Sequence, residues 1–121
     1  MSNVVSKICS MPGDFHLLGN KSMIQLLIES GYLNEIQLVT KETILTCLAE
    51  NPDLILDWEN YSADKRVSEG WYFLKSDLDW IVGYAGNSSL EQRLIFSSEF
   101  EACAEFILRE VSGIAKHAKR N

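Results

Sequence analysis

Residues 69–86, EGWYFLKSDLDWIVGYAG, form the densest run of aromatic and β-branched residues in the chain. Short segments of this composition, separated by Asp, Ser and Gly, are typical of β-strands joined by tight turns. A further segment of the same kind, QRLIFS, follows at residues 92–97. The three segments together predict a three-stranded antiparallel meander over residues 70–97.

Both faces of this predicted sheet are apolar. In the first strand, alternation places Trp71 and Phe73 on one face and Tyr72 and Leu74 on the other. The second strand, DWIVGYA, likewise has apolar residues at successive positions. We therefore expect helices to cover one face, while the other is partly covered or is used for a partner.

A long helix is predicted directly after the sheet, over residues 98–118. Ser98 and Glu101 have the spacing of a capping box. Apolar residues then recur at helical spacing over roughly four turns; these are Phe100, Cys103, Ala104, Ile107, Val111 and Ile114. A helix in this position usually lies across the preceding sheet and closes its core.

The residues before the sheet are predicted to be mainly helical over 21–66. Capping residues and apolar spacing indicate three helices there, the third with Leu54, Ile55 and Trp58 on its inner face. Residues 1–20 are predicted to form an irregular arm with a turn at MPGD. The chain is thus predicted to be a single α+β domain spanning 1–121, with N-terminal helices, a meander and a C-terminal helix packed on the sheet.

The charge balance favours a basic protein partner. The chain has 121 residues and a net charge of −6. Residues from Arg109 onward carry +3, so residues 1–108 carry −9. An acidic body repels nucleic acid and attracts basic proteins. The basic C-terminal end suits a helix terminus, where cations complement the helix dipole.

The cysteines and the apolar runs indicate a cytoplasmic protein. Cys9, Cys47 and Cys103 are odd in number and lack any zinc-site spacing. Cys47 and Cys103 lie in apolar helical stretches, so both are expected to be buried free thiols in a reducing compartment. No N-terminal signal peptide and no membrane-spanning run is recognisable.

No catalytic, cofactor-binding or metal-binding motif is visible. The glycines form no phosphate-binding pattern, and the two histidines, His16 and His117, have no neighbouring nucleophile or carboxylate pattern. Asp77 and Asp79 fall in a predicted turn, where aspartate is favoured because it caps the backbone. An enzyme would need a site assembled only in three dimensions, around His16 and this turn.

An acidic run with aromatic residues marks the third predicted helix. Such a run is most often a solvated helix face. It also matches a recognition patch, in which carboxylates surround an aromatic anchor. The candidate partner-binding residues are therefore Asp53, Asp57, Trp58, Glu59, Tyr61 and Asp64, together with Asp77 and Asp79.

Residues 69–111 resemble a module of known proteins. The residues EGWYFLKSDLDWIVGYAG and QRLIFSSEFEACAEFILREV are similar to the strand–turn–strand–strand–helix module of several immunity proteins from bacterial polymorphic toxin systems, including contact-dependent growth inhibition. The resemblance implies a small, cytoplasmic, acidic, non-enzymatic protein. Such a protein binds a cognate toxin domain, frequently a basic nuclease. No binding residue transfers, because these families hold their toxins with different surfaces.

Three hypotheses of function follow. The first is an immunity protein, a monomer or weak dimer without a cofactor, that neutralises a basic toxin domain by stoichiometric binding. The second is a small acidic adaptor or secretion-type chaperone that binds an extended client, usually as a dimer. The third is the small enzyme described above.

Overall fold

The computed structural model describes residues 4–19, 21–64, 70–85 and 92–120. Five helices precede a three-stranded sheet, and a sixth helix follows it. In chain order these are α1 (Val4–Cys9), α2 (Met11–Leu18), α3 (Met23–Ser30), α4 (Lys41–Glu50), α5 (Asp53–Asp64), β1 (Gly70–Ser76), β2 (Asp79–Ala85), β3 (Gln92–Phe96) and α6 (Glu99–Arg120). Two short 3₁₀ turns, Tyr32–Asn34 and Ile36–Leu38, lie between α3 and α4. The predicted α+β architecture is confirmed.

The sheet is an antiparallel meander with strand order β1-β2-β3. Ser76 pairs with Asp79 across the first turn, so the hairpin loop has only two residues. Helix α5 lies along the β1 edge, where the Phe73 amide donates a hydrogen bond to Ser62 Oγ at 2.8 Å. The β1 edge is therefore joined to a helix, whereas β3 forms the opposite edge.

One face of the sheet, the inner face, packs on α6. Helix α6 contacts all three strands and also α3, α4 and α5. The fully buried Phe106 of α6 stacks on Phe73, with ring centroids 5.8 Å apart, and meets Trp58 edge-on at 5.9 Å. Phe73 in turn stacks on Trp80 of β2 at 5.4 Å. These rings form the centre of the core, because they connect the sheet, α5 and α6.

Charged side chains close the margin of this inner face. The Arg109 guanidinium lies over the Trp71 ring at 4.6 Å and pairs with Glu105 at 2.5 Å. Lys41 of α4 lies 3.6 Å from Glu105 and 5.1 Å from the centroid of the Phe96 ring. Basic residues are thus used to cover aromatic rings between the sheet and the helices, a favourable arrangement for a cation beside a π-face.

The prediction of an irregular arm over residues 1–20 is wrong, because this segment contains α1 and α2. Val4 and Ile8, one helical turn apart, are both buried in the core. The predicted turn at MPGD is the start of α2, since a proline in a first turn lacks only an amide that has no helical partner. Gly19 ends α2 at a φ of 69°, a conformation that glycine adopts without strain.

Helix α4 begins with a capping box, which gives a test of local stability. The Thr40 hydroxyl accepts a hydrogen bond from the Thr43 amide at 3.2 Å, and Thr43 Oγ1 accepts one from the Thr40 amide at 3.0 Å. We expect Thr40→Ala to lower the free energy of unfolding by about 1 kcal/mol. Urea denaturation measures this loss, and Thr46→Ala, within the same helix, is the control. An equal loss in both variants would contradict the role of the cap.

Candidate functional site

Trp58 is a core residue. Its side chain is fully buried, and its indole Nε1 donates a hydrogen bond to the backbone carbonyl of Cys9 at 2.8 Å. The expectation that Trp58 lies on the inner side of α5 is confirmed. Its proposed second role, as an exposed aromatic anchor for a partner, is wrong, because the indole joins α5 to the end of α1.

Tyr61 is also used inside the molecule. Its hydroxyl donates a hydrogen bond to Glu110 Oε2 at 2.5 Å, and Glu110 is itself buried. Burial, reinforced by the Glu110 carboxylate, raises the pKa of Tyr61 well above its ordinary value. Tyr61 therefore remains a neutral hydrogen-bond donor that connects α5 to α6.

The acidic residues of α5 do not all share one face. Asp53 is exposed, and Asp57, one helical turn later on the same side, lies against Gly13 of α2, where an added Cβ would be 3.6 Å from Asp57 Oδ2. Glu59 is about 200° farther around the helix than Asp57 and lies towards Cys103 of α6, whose pKa is raised by burial, then by Glu99 and Glu59. The side chain of Asp64 lies outside the described residues. Glu59 is thus separated from Asp53 and Asp57, and the recognition patch on α5 stays a prediction.

The hairpin tip between β1 and β2 is acidic and exposed. Asp77 has a φ of 52°, a left-handed conformation that aspartate tolerates better than most residues. Leu78 projects from the tip and is 89% exposed, and Asp79 follows as the first residue of β2. The left-handed turn position accounts for an aspartate at residue 77. Asp79 lies on the sheet face that α6 does not cover.

The second sheet face, the outer sheet face, carries an apolar row across all three strands. Leu74 pairs with Ile81, and Ile81 pairs with Ile95, so the three side chains lie side by side on this face. Leu74 is 41% and Ile95 is 65% exposed. The side chains on the outer sheet face are those of Tyr72, Leu74, Ser76, Asp79, Ile81, Arg93 and Ile95.

Polar groups lie beside this apolar row. Tyr72 and Arg93 flank the buried Gly83 in the neighbouring row of paired residues, and Asp79 pairs with Ser76 at the hairpin end. An apolar centre with Tyr and Arg beside it is the composition typical of energetic centres in protein interfaces. This arrangement suits recognition of another protein surface.

Other classes of site have less support in the described residues. The side chains of His16 and His117 lie outside them, so the hypothetical site between His16 and the Asp77 turn is not described. Within residues 4–19, 21–64, 70–85 and 92–120, no group of three or more His, Cys, Asp or Glu side chains is arranged to hold a metal ion. Among the helices of these segments, none has both the length and the apolar character needed to cross a membrane.

No family model, curated protein or solved structure matches the chain. Leu74, Ile81 and Ile95 are absent from the candidate residues taken from the sequence. Apolar residues at successive strand positions predicted an apolar second face, but only the strand register brings these three side chains into one row.

Proposed function

We propose that this protein is an immunity protein that binds a cognate toxin domain and neutralises it by stoichiometric association, without catalysis. The observation that carries the proposal is the apolar row of Leu74, Ile81 and Ile95 on the outer sheet face. Such a row costs free energy in water and is favourable once a partner covers it. The resemblance of residues 69–111 to immunity modules supports the same conclusion.

The partner that fits best is a basic domain, such as a nuclease, met in the cytoplasm. The chain carries a net charge of −6, and Asp77 and Asp79 lie at one end of the outer sheet face. Complementary charge accelerates the encounter of two proteins, while buried apolar groups slow their dissociation. In this proposal the carboxylates at the hairpin tip attract the partner and the apolar row holds it.

The outer sheet face alone is smaller than the surface that a stable complex buries. Three strands about 4.8 Å apart and five residues long span roughly 240 Å². A stable protein interface needs about 800 Å² from each partner. The apolar row is therefore proposed as the centre of the interface, with the hairpin tip, including the exposed Leu78, and the β3 edge as its margin.

Ile95→Glu tests the proposal. A carboxylate at the centre of an apolar interface loses its hydration without gaining a partner, so we expect the affinity for the cognate domain to fall about 100-fold. The measurement begins with capture of tagged wild-type protein from its native cells and mass spectrometry of what remains bound. The captured domain is then titrated with each variant by calorimetry, and toxicity of the domain is scored with and without co-expression.

Leu17→Glu is the matched control, because Leu17 is 84% exposed on α2, a helix that packs on α1, α3 and α5. It should retain wild-type affinity and protection. Urea denaturation of both variants excludes loss of folding as the cause. Equal affinity of Ile95→Glu and wild type would refute the outer sheet face as the binding surface. A captured partner without toxicity would refute the immunity function itself.

The second candidate function is that of an adaptor or secretion-type chaperone. The observation that favours it is the edge position of β3, because edge strands can accept an extended segment from another chain. This function predicts several unrelated clients in the capture experiment and a dimer in solution. A single folded partner bound one to one would favour the immunity protein instead.

A further inference from the structure

A cavity of about 290 Å³ lies where α1 and α2 pack on α3. Helical hydrogen bonds continue across Ser10, so α1 and α2 form a nearly continuous helix. Residues three or four positions apart share one side of a helix. One side of α1 and α2 and one side of α3 therefore bound the cavity, with the lining residues Lys7, Met11, Asp14, Leu26, Glu29 and Ser30. Its volume is at the lower end of the range for small-molecule sites.

The floor of this cavity is apolar and carries one buried hydroxyl. Met11 and Leu26 are both buried and supply the apolar surface. Ser30 is also buried, and its hydroxyl donates a hydrogen bond to the Leu27 carbonyl at 2.6 Å and accepts one from the Tyr32 amide at 3.2 Å. A hydroxyl has one donor and two acceptor lone pairs, so Ser30 retains one acceptor lone pair.

Two carboxylates line the cavity, one on each of its sides, and hydrogen bonds hold both in place. Asp14 Oδ2 accepts a hydrogen bond from Ser10 Oγ at 3.2 Å. Glu29 accepts one from Lys21 Nζ at 2.8 Å and one from Gln25 Nε2 at 3.4 Å. The hydrogen bond from Lys21 lowers the pKa of Glu29, so this carboxylate stays ionised at neutral pH. An ionised carboxylate has about four acceptor sites, so both groups can accept further hydrogen bonds from a cation.

Lys7 brings the opposite charge to the same cavity. It is exposed on α1 and forms no ion pair with Asp14, with Glu29 or with any other residue that the structure describes. Glu29 pairs with Lys21 instead. The ammonium of Lys7 and the two carboxylates therefore border one cavity without bonding to each other. A small molecule that carries both charges would form charge-assisted hydrogen bonds to Lys7 and to the carboxylates at once.

We propose that this cavity binds a free α-amino acid with an apolar side chain, such as leucine. The ligand ammonium group donates to Asp14 and Glu29, the ligand carboxylate accepts from Lys7, and the apolar side chain lies over Met11 and Leu26. Because the ligand is small and the charged groups are partly exposed, the expected Kd is about 1 mM. The site shares no residue with the outer sheet face, so it is independent of the proposed immunity function.

NMR titration of the folded, isotopically labelled protein tests the proposal, with L-leucine as the probe. At constant pH and ionic strength, we expect saturable shifts in the amide signals of the lining residues, with half-saturation at about 1 mM. Isocaproate is leucine without the ammonium group, and isoamylamine is leucine without the carboxylate. Each should bind at least about 10-fold more weakly than leucine, because each loses a charge-assisted contact.

Two variants separate the contacts to the two ends of the ligand. Lys7→Gln should weaken leucine binding about 10-fold but should not weaken binding of isoamylamine, which has no carboxylate. Asp14→Asn should weaken binding of leucine and isoamylamine but not that of isocaproate. Lys75→Gln removes a lysine from β1, outside the cavity, and is the matched control that should bind leucine like wild type. The amide spectrum of each variant also reports whether it is folded.

Other results would overturn the assignment. Leucine that causes no saturable shift up to about 20 mM would exclude this class of ligand. Equal affinity for leucine and both analogues would indicate non-specific contact, and wild-type affinity in Lys7→Gln would exclude the proposed contact to the carboxylate. None of these results bears on toxin binding, which is measured separately with the variant of the outer sheet face.

Discussion

Phe106→Ala is expected to remove a large part of the stability of this protein. Phe106 is fully buried, stacks on Phe73 of the sheet and meets Trp58 and Tyr61 of α5. Replacing a buried Phe by Ala costs about 3–5 kcal/mol, because transfer free energy is lost and a cavity remains. For a domain whose total stability is about 5–15 kcal/mol, this is a severe loss.

Thermal and urea unfolding measure this effect. A loss of this size lowers the Tm of a domain of this length by about 12–20 °C. Leu56→Ala is the matched control, because Leu56 is 59% exposed on α5. Its free energy of unfolding should differ from that of wild type by no more than about 0.5 kcal/mol. If Phe106→Ala and Leu56→Ala lowered the free energy of unfolding by similar amounts, Phe106 could not be the residue that joins the sheet to α5.

The second large effect is a loss of stability at alkaline pH. Burial is the main cause that raises the pKa of both Cys9 and Cys103 far above the ordinary value of a thiol. Neighbouring Cys47 adds to the shift at Cys9, and Glu99 and Glu59 add to that at Cys103. Both thiols therefore stay protonated in the folded protein under conditions in which they ionise in the unfolded chain.

The sign of the pH dependence follows from this difference. A group whose pKa is raised by folding stabilises the folded state fully below its unfolded pKa, which is about 8.5 for a thiol. Above that pH the unfolded chain releases the proton and the folded chain does not, so stability falls as the pH rises. The loss is about 2 kcal/mol for each thiol at about pH 10, or about 4 kcal/mol for the two.

Urea denaturation from about pH 7 to about pH 10, with a reductant present, measures this loss. The double variant Cys9→Ala/Cys103→Ala should start less stable because of its cavities, and its stability should then change little with pH. Leu56→Ala should keep the wild-type pH dependence. If the free energy of unfolding fell with pH equally in the double variant and in wild type, groups other than these two thiols would cause the loss of stability at alkaline pH. Tyr32 and Tyr61, whose pKa values are also raised, contribute mainly above about pH 10.

Local patterns in the sequence determined the secondary structure of most of the chain. The β-branched and aromatic run after Gly70 predicted the meander, and the capping box at Ser98 predicted the start of α6, because both depend on neighbouring residues. The first two helices were missed. Pro12 and Gly13 favour a turn locally, but burial of Val4, Ile8 and Met11 against the core outweighs that preference.

Only the tertiary structure decided which residues are available to a partner. Trp58 and Tyr61 stand in an acidic run of the sequence that predicted a binding surface. In the structure both turn inward, because the indole and the phenol each donate to a buried acceptor on another helix. The strand register, which depends on pairing between distant segments, brings the exposed Leu74 and Ile95 and the half-buried Ile81 into one row. Periodicity fixes which face of an element is apolar, whereas packing between elements determines which apolar face remains uncovered.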